Sequence, residues 1–188
     1  MNKKGFTLAE VLITLLIIGV ISSIVIPALI SNTQDAELKT AWKKSFSDIS
    51  HATKLLIMDN GGTMKGLCST DGDQVCFRDK YLQYLNSIKS CTPAAIAGNC
   101  WHNDNTILQG SYVINGDDAG TILNNGTLLT FDWNSTSCTG TNCGTITVDV
   151  NGFKGPNKQD KDIFVTHIMS NIAKPDNVTT PNASNYLY

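Results

Sequence analysis

Charge is scarce in this chain. Only 16% of its residues are Asp, Glu, Lys or Arg, against roughly 25% in ordinary soluble domains. No extended basic run offsets that scarcity, and from Asp35 onward there are 15 acids and 12 bases. A protein that grips nucleic acid must neutralise phosphates with a concentrated basic face, so no direct nucleic-acid partner is expected. Catalytic signatures are missing too. There is no nucleophile with a neighbouring base, no phosphate-cradling glycine loop and no metal triad, so the chain is not expected to be an enzyme. Paired C-x-x-C spacings are absent, and His51, His102 and His167 are scattered, which removes the zinc reading of the cysteines.

The cysteines that are present number six: Cys68, Cys76, Cys91, Cys100, Cys138 and Cys143. An even count in loop-like surroundings, beyond an apolar segment, reads as disulfides formed in an oxidising compartment. They fall into three couples close in sequence, 68 with 76, 91 with 100, and 138 with 143. Each closes a short loop and contributes about 2–3 kcal/mol through lost chain entropy.

Apolar residues are concentrated at one place. A short basic leader, Met1-Asn2-Lys3-Lys4-Gly5, is followed by Phe6-Thr7-Leu8-Ala9-Glu10 and then by Val11 to Ile30 without a charge. About 20 apolar residues rising 1.5 Å each span a bilayer core of roughly 30 Å. Lys3 and Lys4 precede the span, so the positive-inside rule leaves the leader in the cytoplasm. A secretory signal has a shorter apolar core ending in small residues, and cleavage after Ala28 would put Ile26 where a small residue belongs. A plain single-span anchor explains everything except Glu10, because a carboxylate in an apolar span is costly enough to imply a function.

Gly5-Phe6-Thr7-Leu8-Ala9-Glu10-Val11-Leu12-Ile13 resembles the processing and assembly signature of type IV prepilins and type II secretion pseudopilins. The resemblance implies cleavage by a prepilin peptidase between Gly5 and Phe6, followed by methylation of the new Phe6 amine. It also implies that Glu10 neutralises the Phe6 amine of a neighbouring copy during assembly. Gly19 and Pro27 match positions where the family loosens its long helix, and Pro27 lacks the amide proton a helix needs. A kink or local melting is therefore expected there.

Beyond Ser31 the pattern becomes amphipathic. Leu38, Trp42, Phe46, Ile49, Ala52 and Leu56 recur at three- and four-residue steps, the mark of one buried helical face. Gly61-Gly62 ends that pattern, so one helix is expected from about Phe6 to Asn60. Phe77, Tyr81, Tyr84, Leu85 and Ile88 predict a short amphipathic helix inside the cysteine-bearing connector. Strands are expected at Thr127–Trp133, Thr145–Val150 and Ile163–Met169, with shorter ones at Tyr112–Ile114 and Thr121–Leu123. Short strands between Asn- and Gly-rich turns form an antiparallel meander, whose apolar face the helix must cover. The expected fold is α+β and pilin-like. Residues 1–5 are a leader, 6–30 a transmembrane helix, 31–60 its amphipathic continuation, 61–174 a disulfide-containing head and 175–188 a poorly ordered tail. Asp117-Asp118 reads as a turn.

The segment from Asp149 to Asp162 gathers hard oxygen donors between two strands. Asp149, Asn151, Asp160 and Asp162 are candidate calcium ligands, and major pseudopilins carry a calcium loop in a similar late position. Lys154, Lys158 and Lys161 depart from that pattern, and the competing reading is a loop whose Asn and Asp side chains cap turns. No other cofactor is expected. The resemblance implies a subunit of a pilus-like filament, single-pass in the inner membrane with its N-terminus inside, then extracytoplasmic at the cell surface or in the periplasm. Its partners would be copies of itself, related pilins, prepilin peptidase, inner-membrane assembly machinery and, before assembly, lipid. A pseudopilin of a secretion or DNA-uptake system is the competing role, and a tethered binding domain that never polymerises is a third.

Overall fold

Fifty-two residues, Leu8–Asp59, form one helix, α1. The structure is a computed structural model and describes residues 5, 7–92, 94–103, 114, 116–139 and 142–176. The chain divides into two compact units, Met1–Glu37 and Leu38–Tyr188. In the first, the apolar residues of α1 face outward on all sides: Leu16 is 69% exposed and Ile24 70%. By length and composition α1 is long and apolar enough to cross a membrane. The helix continues through Gly19 and Pro27 without interruption, so the melting expected there is not seen. A proline removes one amide donor, which a helix of this length accommodates with its neighbouring bonds intact.

In the second unit, α1 from Leu38 presents the anticipated stripe, burying Trp42, Ser45, Ile49, Ala52, Thr53 and Leu56. A short helix, α2, covers Gln74–Tyr81 and starts at Asp73, whose carboxylate accepts the Cys76 amide at 2.9 Å. It stops at Tyr81, so Tyr84, Leu85 and Ile88 are not helical as the sequence suggested. Ile88 lies instead in β1 (Ser87–Cys91), an edge strand that leaves it 68% exposed. The sheet continues with β2 (Ala119–Leu123), β3 (Leu128–Trp133), β4 (Gly144–Asp149), β5 (Ile163–Ile168) and β6 (Ala173–Pro175). All neighbours are antiparallel and in sequence order, as a meander requires. The head therefore runs past Lys174: β6 pairs with β5 and the Asp176 amide donates to the Val165 carbonyl at 2.9 Å. That overturns the boundary drawn for the tail, whose residues 177–188 lie outside the described residues. So do Tyr112 and Val113 of one expected strand.

Both faces of the sheet are covered. On one, Leu129, Phe131, Trp133, Ile146, Val148, Phe164 and Ile168 meet α1 and α2. Trp42 stacks on Phe164 at 4.5 Å, and Phe77 sits edge-on to Tyr81 and Phe131. The Tyr81 hydroxyl, fully buried, bonds Thr53 Oγ1 at 2.7 Å. On the other face, Ala95, Trp101 and Ile114 pack against Leu128 and Ile163. The segment after β1 thus crosses the back of the sheet, and β4 is buried along its whole length. Gly120 permits the crossing, because a Cβ there would lie 2.6 Å from Ala95 Cβ and 2.8 Å from Cys100 Cβ.

Candidate functional site

Thr7, Glu10 and the start of α1 form one hydrogen-bonded unit. The Thr7 amide donates to Glu10 Oε2 at 2.8 Å, the Thr7 hydroxyl donates to the same oxygen at 2.9 Å, and the Glu10 amide donates to Thr7 Oγ1 at 3.3 Å. This is a capping box, in which the residue before the helix and the one three places on satisfy each other's amides. It supplies what a helix start otherwise lacks, since the first four amides have no partner within the helix. The carboxylate also lies at the positive end of the helix dipole. The Thr-x-x-Glu spacing is the sequence signal for this arrangement. Gly5, one half of the expected junction, is exposed. Phe6, the other half of the expected junction, lies outside the described residues.

The six cysteines pair as the spacing suggested: Cys68 with Cys76, Cys91 with Cys100, and Cys138 with Cys143. Arg78 ties two of these regions together. It is buried in α2, and its guanidinium donates to the Cys91 carbonyl at 2.7 Å and to Thr92 Oγ1 at 2.8 Å.

The loop between β4 and β5 is closed by a buried acid at each end. Asp149 is the last residue of β4, and Asp162 immediately precedes β5. Both are inaccessible to solvent. Asp162 accepts the amides of Asn157 at 2.7 Å and Lys158 at 2.6 Å. Asp149 accepts the Asn151 amide at 3.1 Å, and its other oxygen lies 2.8 Å from His102 Nε2. The Asn151 side chain donates to the Gly155 carbonyl at 3.1 Å. Asn157 and Asp160 take positive φ of 54° and 62°, a conformation these two residue types tolerate best after glycine. These are the bonds of turn-capping side chains. Of the four proposed calcium ligands, Asp149 and Asp162 come together. Among the described residues, no three acid, histidine or cysteine side chains gather as one ion's ligands would. The side-chain oxygens of Asn151, Asn157 and Gln159 in this loop are buried without a protein partner.

His102 was not foreseen, since 47 residues separate it from Asp149 and nothing local marks it. Burial pushes its imidazole below the usual value, while the charge of Asp162 opposes that shift. Burial, reinforced by the like charge of Asp162, pushes the Asp149 carboxyl up to about 8. The pair therefore holds one proton between its two sites near neutral pH. A smaller acidic group joins α2 to the sheet: Gln74 reaches Asp117 at 3.5 Å and Asp132 at 3.4 Å. Burial, then the charge of Asp117, raises the Asp132 carboxyl. Asp117 sits in a turn as anticipated.

The prokaryotic N-terminal methylation motif matches residues 1–26 of the chain. The match supports a type IV pilin-like prepilin segment over this stretch. With the α+β head, in which a long N-terminal helix packs on a six-stranded antiparallel sheet, it supports a protein of the type IV pilin or pseudopilin type. The motif implies processing by prepilin peptidase and pilin assembly, and the apolar helix beside it is consistent with membrane anchoring. No curated protein and no solved structure matches the chain.

Proposed function

We propose that this chain is a structural subunit of a type IV pilus-like filament and not an enzyme. It would enter the inner membrane with its leader in the cytoplasm, be cut between Gly5 and Phe6, and be methylated on the new Phe6 amine. The observation that carries this reading is the methylation motif over residues 1–26, set at the head of a helix that carries no charge from Val11 to Ile30. After cleavage, the carboxylate of Glu10 would pair with the Phe6 amine of another copy. An ion pair at contact distance is worth about 4 kcal/mol at an effective dielectric near 20, before desolvation. In a lone subunit the Thr7 hydroxyl and amide both bond Glu10 Oε2, which leaves Oε1 to meet a neighbour's amine. The pairing favours register, because only one alignment of two helices offers a positive charge to each acid.

Glu10→Gln tests this cleanly, since glutamine also serves in a capping box and only the charge is lost. Subunit level in the inner membrane should match wild type, while filaments sheared from cells should fall to few or none. Normal filaments from Glu10→Gln would refute charge pairing. A periplasmic pseudopilin would use the same anchor, and wild-type cells with no shearable subunit would favour that role. The cysteine-rich connector supports the surface filament, where disulfides hold a head outside the cell.

A further inference from the structure

The strands of the head run between two ends that differ in charge. Leu128 faces Asp149 and Asp149 faces Ile163, so the β4–β5 loop closes one end. Trp133 faces Gly144 and Phe131 faces Ala119, so Asp132 and the turn carrying Asp117 lie at the other. Asp71 joins them there, beside Gly72, whose amide donates to the Trp133 carbonyl at 2.9 Å. Asp73 adds a further carboxylate next to Gln74, which reaches both Asp117 and Asp132. Strands of six residues hold the two ends roughly 17 Å apart. Neither end balances its charge from within. Among the described residues Asp71, Asp73, Asp117 and Asp132 form no ion pair, and Arg78 of α2 is taken by Asp79 at 2.8 Å. Burial and the charge of Asp117 both raise the Asp132 carboxyl, and a cation brought from outside would lower it again. At the loop end Lys154 and Lys158 are exposed and likewise in no ion pair among the described residues, while Asp160 and Lys161 already have partners. Each end also leaves a large apolar side chain uncovered: Phe153 in the β4–β5 loop is 55% exposed, and Ile172 in the β5–β6 turn 47%.

We propose that the heads of this protein stack end to end, the lysine-bearing β4–β5 loop of one copy seated on the acidic end of a second copy. A contact between two different patches is heterologous, and one whose rotation does not close on itself builds an open helical filament. Opposite charge draws the loop to the acids, whereas acidic end against acidic end repels, so every head in a stack points the same way. Charge sets orientation and encounter more than affinity, and Phe153 supplies the aromatic anchor that a contact of this kind needs at its centre. The inference rests on the filament reading and deepens it. The Glu10 pair joins copies through their helices, and this contact joins them through their heads.

The test treats cells expressing the full chain with a carbodiimide, which condenses a lysine amine and a touching carboxylate into an amide. Mass spectrometry of sheared filaments and of the cell envelope should find peptides joining Lys154 or Lys158 to Asp71 or Asp117. Within one head these residues sit at opposite ends, beyond the reach of their side chains, so such a link is between copies. Sheared filaments without any such link would overturn the stacking and leave the filament reading standing. A link in the envelope with no filament shed would uphold the contact and sink that reading; neither link nor filament would sink both. Charge reversal gives a second readout. Lys154→Glu with Lys158→Glu should cut sheared filaments roughly tenfold, equivalent to about 1.4 kcal/mol, at an unchanged subunit level in the inner membrane. Adding Asp71→Lys and Asp117→Lys should restore most of the loss. Undiminished filaments from the lysine reversals, or a loss that the aspartate reversals deepen, would overturn the proposal. Where a reversed chain fails to accumulate, the wild-type cross-link decides alone.

Discussion

Raising the pH from about 6.5 to about 8 should weaken the head, and the direction follows from where one proton sits. Burial and the neighbouring Asp162 lift the Asp149 carboxyl from its ordinary 3.8 to about 8, while burial lowers His102 from its ordinary 6.5. Above 6.5 the unfolded chain holds a proton on neither group, whereas the folded pair keeps one until the pH approaches 8. Folding therefore takes up a proton across this window, and stability declines as pH rises. Below 6.5 the unfolded histidine also carries a proton, both states hold one, and the profile levels off. The slope is about 1.4 kcal/mol per pH unit, and the window of roughly 1.5 units costs about 2 kcal/mol. For a domain of this size that lowers the melting temperature by about 4–8 °C. Thermal unfolding of the full chain in micelles, read by tryptophan fluorescence at half-unit pH steps, measures it. Asp149→Asn should abolish the slope between 6.5 and 8. A wild-type profile that is flat or rises through that window would refute the proton assignment.

Two further expectations concern packing. Gly120→Ala places a methyl against Ala95 and Cys100, and should cost about 1–3 kcal/mol by overpacking. Faster protease cleavage within residues 94–103, with α1 still protected, would distinguish displacement of the crossing segment from general unfolding. Trp42→Ala removes a fully buried ring stacked on Phe164 and should cost about 3–5 kcal/mol in chemical denaturation. A loss under about 1 kcal/mol would mean that α1 does not seal this face of the sheet.

What the sequence revealed depended on how far each interaction reaches along the chain. The helix stripe of Trp42, Ile49 and Leu56 and the alternation of Ile146 and Val148 repeat within a few residues, so periodicity exposed them. The disulfides were legible because each joins cysteines no more than nine positions apart. Strand β1 escaped notice because Ser87–Cys91 is mostly exposed and polar, with its register broken between Ser87 and Lys89. Strand β6 escaped because Pro175 argues against a strand, although an edge position tolerates it. Asp149 is buried where residues 94–103 cross the back of the sheet and set His102 against it, a contact no local pattern encodes. His102 was unreadable for the same reason, whereas the cap made by Thr7 was written plainly in Thr-x-x-Glu.

The central claim is that this chain is processed as a prepilin and built into a filament, and the N-terminal peptide of the subunit in sheared extracellular material tests it most directly. Mass spectrometry of that fraction should find a chain beginning at N-methylated Phe6, lighter than the full sequence by Met1 to Gly5. A subunit that keeps its leader, one that begins beyond Ala28, or one missing from the sheared fraction altogether would contradict it.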